Sequence, residues 1–122
     1  MVLENESGPF ALSPFVLAEL DHLVATRAGV EAELRLLAEV VAGAYQLVAF
    51  TLRDVAAAHD VVERYSSLEV GLADASVVVL AERLRTLRLL TLDERRFRAI
   101  RPLQGGAFEL LPADADRPKR RG

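Results

Sequence analysis

The stretch EVGLADASVVVLAERLRTLRLLTLD, residues 69–93, combines a turn, a helix and a buried strand in one unit. Asp74 follows Gly71 and falls in the first turn of the helix, and Asp93 follows the apolar strand predicted over 87–92. In an open α/β sheet, ligands bind at the C-terminal ends of the strands, beside the N-terminal ends of the helices. The unit therefore predicts an α/β domain with two carboxylates at the edge of the sheet where ligands bind.

Two interpretations of this pair of carboxylates remain open at this point. Together they can share a hard divalent cation such as Mg²⁺, which prefers oxygen ligands. Equally, Asp is common in the first turn of a helix, where it interacts favourably with the helix dipole, and Asp93 can cap a helical segment over 94–100. The spacing of Asp74 and Asp93 alone does not choose between a metal site and two residues at helix starts.

The composition predicts one soluble, cytoplasmic domain. A chain of 122 residues, 52% of them hydrophobic, is long enough to bury a single core. It contains no Cys, which excludes disulfides, zinc–thiolate sites and thiol nucleophiles. No apolar run approaches the roughly 20 residues that a membrane span requires. The first residues carry no basic segment of the kind that begins a signal peptide.

Charge is divided unevenly along the chain, although the net charge is only −3. Acidic side chains outnumber basic ones by 12 to 4 in residues 1–79, whereas basic side chains outnumber acidic ones by 11 to 6 in residues 80–122. Nearly all the basic residues are Arg, whose planar group can bind phosphate or carboxylate through two hydrogen bonds. The basic half is either a phosphate-binding surface or a solvated face, and residues 113–122 are predicted to form a disordered basic tail.

Strands and helices are predicted to alternate along the chain. A strand over 10–12 leads to Ser13-Pro14, a strong helix start with Ser as the N-cap, and to a helix over 15–27 that Gly29 can end. This order predicts a three-layer α/β domain with a mostly parallel sheet. The other predicted elements are helices over 30–42 and 52–64, the latter capped by Thr51, and strands over 44–50 and 107–111.

Apolar residues at helical spacing predict which faces of these helices are buried. The predicted inner face of the second helix includes Leu34 and Val41, and that of the third helix includes His59. Glu19 lies beside the apolar stripe of the first helix, where a carboxylate is costly unless it is paired or coordinated. His22, close by, is interpreted as a packed side chain rather than as a metal ligand.

Several reaction classes can be excluded because their motifs are absent. The sequence has no glycine-rich phosphate loop, no GxSxG nucleophile elbow and no HExxH zinc motif. It also has no helix with basic and amide side chains at the positions that would contact DNA bases. What remains is carboxylate chemistry, in which Asp and Glu hold Mg²⁺ or Mn²⁺ and the metal activates water against a phosphodiester.

The sequence resembles PIN-domain ribonucleases, and in particular the VapC toxins of bacterial toxin–antitoxin pairs. The resemblance covers essentially residues 9–112 and implies a single PIN domain over 1–112. Three segments carry it: SPFVLAELDHLVATR (13–27), VGLADASVVVLAERLRTLRLLTLDERRFRAIRP (70–102) and QGGAFELLP (104–112).

The resemblance implies an acidic site that binds Mg²⁺ or Mn²⁺ and supports RNA hydrolysis. Glu19 matches the Glu of the helix that follows the family's second strand. Asp74 matches the Asp that opens the helix before the fourth strand, and Asp93 matches the Asp at the end of that strand. The implied partners are an RNA substrate, a cognate VapB-type antitoxin that blocks the acidic pocket, and a second copy of the chain in a homodimer.

The resemblance also implies a first strand that ends in Asp and is followed by a helix, and residues 1–13 supply neither. The chain therefore looks like a PIN domain that lacks about 25 residues, the length of one strand and one helix. We expect a sheet without its central strand and a metal site without one of its carboxylates.

The leading hypothesis is a metal-dependent endoribonuclease toxin, in which Arg83, Arg95 and Arg96 are candidates to hold the RNA backbone. The alternative is a nuclease-dead remnant that still binds an antitoxin or itself. A purely structural α/β domain is the third possibility.

Overall fold

The computed structural model describes residues 2–4, 9–90 and 98–111. The helices predicted over 15–27, 30–42 and 52–64 match the first three helices of the structure to within one residue at each end. The predicted basic tail lies outside the described residues. In chain order the elements are β1 (Val2–Leu3), β2 (Ala11–Leu12), α1 (Pro14–Ala28), α2 (Val30–Val41), β3 (Gln46–Leu47), α3 (Leu52–Arg64), a 3₁₀ turn (Ser66–Leu68), α4 (Leu72–Arg83), β4 (Arg88–Leu90) and β5 (Glu109–Leu111).

The described strands form one sheet in the order β3-β2-β1-β4-β5. β2 pairs with β3 and β4 pairs with β5 in parallel, whereas β1 is antiparallel to both β2 and β4. The predicted α/β class is confirmed. The sheet is mixed because its central strand runs against the direction of its neighbours.

The central position of the sheet, which we expected to be empty, is filled by β1. Leu3 pairs with Ala11 on one side and with Leu89 on the other, and the side chains of Val2 and Leu3 are both buried. The next residue, Glu4, forms an ion pair with Arg88 of β4. Two apolar side chains thus cover the middle of the core, and backbone pairing with β2 and β4 sets their register.

Local capping signals explain where α1 and α3 begin. The Ser13 hydroxyl oxygen accepts hydrogen bonds from the backbone N–H groups of Phe15 and Val16, and Pro14 occupies the first turn. Thr51 and Asp54 form a reciprocal capping box at the start of α3. The helix starts predicted at Ser13 and Thr51 are therefore confirmed.

The core is organised around α4, the helix of the stretch from which the fold was predicted. All nine residues from Ala73 to Ala81 are buried. The helix packs against α3, α1 and β1. A helix that is apolar on every side is typical of a central position. Among the described helices, none is long and apolar enough to cross a membrane.

Two of the predicted inner faces are exposed instead. On α2, Leu34 is 60% exposed and Val41 is 88% exposed, because the helix packs mainly on α1 through a neighbouring face. On α3, His59 is also exposed and lies 3.1 Å from a carboxylate oxygen of Asp60. The interpretation of His59 as an inward-facing residue was therefore wrong. Ala58 and Val61 face the core in its place.

Candidate acidic site

The N-terminal ends of α1 and α4 meet at one edge of the sheet. Ser13 follows directly on β2 and caps α1, and its hydroxyl oxygen lies 2.6 Å from that of Ser76 in α4. The contact joins residues that are 63 positions apart in sequence. It places the first turn of α4 beside the C-terminal end of β2, at the edge where the sequence predicted a ligand site.

Asp74 is the third residue of α4 and lies at this edge. Its side chain is buried, with 7% of the residue exposed. The free N–H groups of a helix start favour negative charge, which gives a physical reason for a carboxylate in the first turn. A buried carboxylate at the end of a sheet is an oxygen ligand of the kind that Mg²⁺ and Mn²⁺ prefer.

Glu19 lies on the exposed side of α1, six residues beyond Ser13 and so about 9 Å along the helix axis. It lines an open apolar groove of about 740 Å³ together with other residues of α1, including Leu20, Leu23 and Arg27. His22 lines the same groove and is exposed, so our interpretation of it as a packed side chain was wrong.

The predicted convergence of three carboxylates stays a prediction. Asp93 lies outside the described residues, so its distance from Asp74 and Glu19 is not part of the geometry above. Within the described residues, no group of three or more His, Asp or Glu side chains is close enough to hold a metal ion. The three predicted ligands, Asp74, Asp93 and Glu19, are all carboxylates, and carboxylate oxygens suit a hard divalent cation.

Arg83 has a structural partner rather than a free guanidinium group. Its Nη1 atom lies 2.8 Å from Oδ2 of Asp54 and 2.8 Å from the carbonyl oxygen of Ala49. It lies nine residues from Asp74, about 13 Å along α4, at the opposite end of the helix. These contacts give Arg83 a structural role, and its role as an RNA contact stays a prediction. Arg95 and Arg96 lie outside the described residues.

Sequence reasoning missed Asp54, which is 5% exposed and joins α3 to α4 through Arg83. The signal was present, because Thr51 and Asp54 have the spacing of a capping box. The Arg83 contact gave no signal, since it lies 29 residues further along the chain. The contact of Ser13 with Ser76 was missed for the same reason.

A second pair of carboxylates lies between α1 and α2. A hydrogen bond with Asp21 raises the pKa of Glu33 above its ordinary value, and burial and the charge of Asp21 act in the same direction. One carboxylate oxygen of Asp21 is enclosed and has no hydrogen-bond partner in the described residues. This pair follows from the packing of α1 on α2.

Comparison with known proteins agrees with the fold. The family model of the PIN domain matches residues 2–102. The chain is also 44% identical over 110 residues to Ribonuclease VapC26 of Mycobacterium tuberculosis (strain ATCC 25618 / H37Rv), an alignment that covers 90% of this chain and 82% of that protein. On both grounds, the chain belongs to the PIN-domain family and, within it, to the VapC-type ribonucleases.

Proposed function

We propose that the protein is a metal-dependent endoribonuclease toxin that hydrolyses RNA phosphodiester bonds. The observation that carries the proposal is the buried carboxylate of Asp74, held by the first turn of α4 at the sheet edge. Family membership supports the same reaction, since the relative from M. tuberculosis is a ribonuclease by name.

In this proposal Asp74, Asp93 and Glu19 would hold one Mg²⁺ or Mn²⁺ ion through their carboxylate oxygens. When bound, the ion would act as a Lewis acid that stabilises negative charge on the phosphate and makes water a stronger nucleophile. The burial of the Asp74 side chain would orient its carboxylate oxygens and keep bulk water from competing for them. Arg95 and Arg96, which follow Asp93 in sequence, would bind the RNA backbone through charged hydrogen bonds.

We further propose that a VapB-type antitoxin binds in the groove along α1. The groove carries Glu19 together with apolar side chains such as Leu20 and Leu23, so an apolar segment of a partner placed there would also cover a candidate metal ligand. The variant Leu23→Glu should then bind the antitoxin more weakly and keep its nuclease activity. Unchanged antitoxin binding by this variant would place the partner elsewhere.

A homodimer is the second proposed assembly, and the exposed apolar side chains of α2 support it. Val30, Leu34 and Val41 lie on one side of this helix and are 62%, 60% and 88% exposed. An apolar ridge of this kind can pair with the same ridge of a second copy about a two-fold axis. Light scattering of the double variant Leu34→Glu/Val41→Glu, against Arg35→Glu as control, should report the monomer only for the double variant.

The central experiment is RNA cleavage in the presence of Mg²⁺ or Mn²⁺ by the wild-type chain and by Asp74→Asn. The variant should lose about 100-fold or more in rate, because even partners that only orient metal ligands contribute 10- to 100-fold. Asp60→Asn, an exposed carboxylate on α3, is the matched control and should cleave at the wild-type rate. Equal cleavage by Asp74→Asn and the wild type would refute the assignment.

Metal binding gives a second measurement that does not depend on cleavage. Millimolar Mn²⁺ should raise the melting temperature of the wild-type chain, because a ligand of the native state stabilises it. Asp74→Asn should remove this response. A wild-type chain that binds antitoxin but neither responds to metal nor cleaves RNA would favour the alternative function, a binding protein without nuclease activity.

A further inference from the structure

The contact between Ser13 and Ser76 has a defined direction. Both residues are completely buried, and their hydroxyl oxygens are 2.6 Å apart. The Ser76 hydroxyl donates its single proton to the carbonyl oxygen of Ala73, at 2.6 Å. Because a hydroxyl group has only one proton, Ser13 must be the donor in its contact with Ser76.

The two lone pairs of the Ser13 hydroxyl oxygen are used as well. They accept hydrogen bonds from the backbone N–H groups of Phe15 and Val16, at 3.1 Å and 3.4 Å. The chain of hydrogen bonds therefore runs from the first turn of α1 through Ser13 and Ser76 to the carbonyl of Ala73. We name this chain the serine relay.

The serine relay connects the two helices that carry candidate metal ligands. It ends at Ala73, the residue directly before Asp74, and it begins at the N-cap of α1, the helix that carries Glu19. Buried hydroxyl groups require partners, so neither helix start can shift along or rotate against the other without leaving one hydroxyl unsatisfied. The relay thus fixes the spacing between the two helix starts.

We propose that Ser13 and Ser76 are positioning residues of the acidic site, which set the relative placement of Asp74 and Glu19 through the serine relay. The inference rests on the proposed function and extends it to two residues that hold no metal themselves. Mg²⁺ requires nearly ideal octahedral geometry with short metal–oxygen distances, so a small change in ligand spacing weakens binding. Groups that orient metal ligands typically contribute 10- to 100-fold to metal affinity.

The test compares Ser76→Ala with Thr51→Ala, using Mn²⁺ affinity as the first measurement. Thr51→Ala removes the N-cap of α3, a loss of stability of the same kind, but Thr51 is not part of the serine relay. Calorimetric titration with Mn²⁺ should give an affinity at least about 10-fold weaker for Ser76→Ala. Thr51→Ala should bind Mn²⁺ like the wild type although its melting temperature is lower.

Two further variants separate positioning from folding. Ser13→Thr keeps both the hydroxyl and the N-cap and should retain wild-type Mn²⁺ affinity, whereas Ser13→Ala should resemble Ser76→Ala. In metal-free buffer, the double variant Ser13→Ala/Ser76→Ala should lower the urea midpoint by less than the two single variants added together, because the hydroxyls act as one unit. Additive midpoint changes would refute the relay itself.

The remaining outcomes are equally decisive. Wild-type Mn²⁺ affinity in a folded Ser76→Ala protein, with Mn²⁺ binding by the wild type established, would refute the positioning role and leave the proposed function intact. An Asp74→Asn protein that binds Mn²⁺ like the wild type would refute the acidic site, and the positioning role would fall with it.

Discussion

α2 and α4 are both 12 residues long and both rich in Leu, Val and Ala, yet they occupy opposite environments. α4 is buried over nine consecutive residues, including the polar residues Asp74 and Ser76. α2 has no fully buried residue, although its apolar and charged residues are far better separated into two faces. A periodic apolar stripe therefore predicts a helix, whereas the position in the fold determines whether its stripe is covered.

The two helices also differ in what their exposed and buried groups can do. The buried Ser76 of α4 is fixed by hydrogen bonds, which suits a site where ligand placement matters. Exposed apolar residues on α2 contribute little to the stability of one chain and are available to a partner. We therefore expect changes in α4 to affect folding and catalysis, and changes in α2 to affect association.

The largest expected difference between α4 and α2 is in their response to a new carboxylate. Val78→Asp should unfold the protein, at a cost of more than about 4 kcal/mol, because Val78 is completely buried and the new charge has no partner. Val41→Asp should change the free energy of unfolding by about 0.5 kcal/mol or less, since Val41 is 88% exposed. Urea denaturation at low protein concentration measures both. A large loss in Val41→Asp would mean that α2 is covered in solution.

A smaller effect is expected at the C-terminal end of α4. Arg83→Leu removes the cation that pairs with Asp54, whose carboxylate is buried and would keep only its bonds to Thr51. Breaking a fully buried ion pair costs 3–5 kcal/mol, and because the Arg83 side chain is 40% exposed we expect about 2 kcal/mol. Arg53→Leu, an exposed residue of α3, is the control and should stay within about 0.5 kcal/mol. Equal losses in both variants would show that the ion pair of Arg83 with Asp54 does not stabilise the contact of α3 with α4.

The smallest expected effect concerns the contact of α2 with α1 and depends on pH. Because the pKa of Glu33 is raised in the folded protein, the charged form is less favourable there than in the unfolded chain. This residue therefore supports folding in acid, where it is protonated, and opposes folding as the pH rises above its ordinary value of 4.5.

Glu33→Gln should raise the urea midpoint at pH 7, and the difference from the wild type should disappear near pH 4. Glu31→Gln, on the exposed side of the same helix, is the control and should leave the urea midpoint at pH 7 unchanged. A Glu33→Gln protein with the wild-type midpoint at pH 7 would indicate that Asp21 and Glu33 do not repel one another.

The parts of the fold that the sequence predicted correctly depend on residues close together in the chain. Ser13 and Pro14 start α1, Gly29 ends it, and Thr51 starts α3. Each of these signals acts within about four residues, so a single stretch of sequence contains all its physical causes.

The acidic site was predictable only in part, for the same reason. Asp74 could be placed at a sheet edge, because a helix start and the end of a neighbouring strand meet there in α/β folds. Its connection to α1 through Ser76 and Ser13 could not, since it depends on two side chains 63 residues apart. The partner of Arg83 was likewise decided by how α3 packs on α4.

Local sequence signals were enough to predict the types of the elements from β2 to β5, the helix starts and the oxygen-only chemistry of the candidate ligands. Only the tertiary structure decided the direction of β1, the exposure of α2 and the ion pair between Glu4 and Arg88, which spans 84 residues. The physical reason is that local signals follow from backbone geometry over a few residues. Long-range pairings, in contrast, follow from which surfaces remain uncovered once every element has packed.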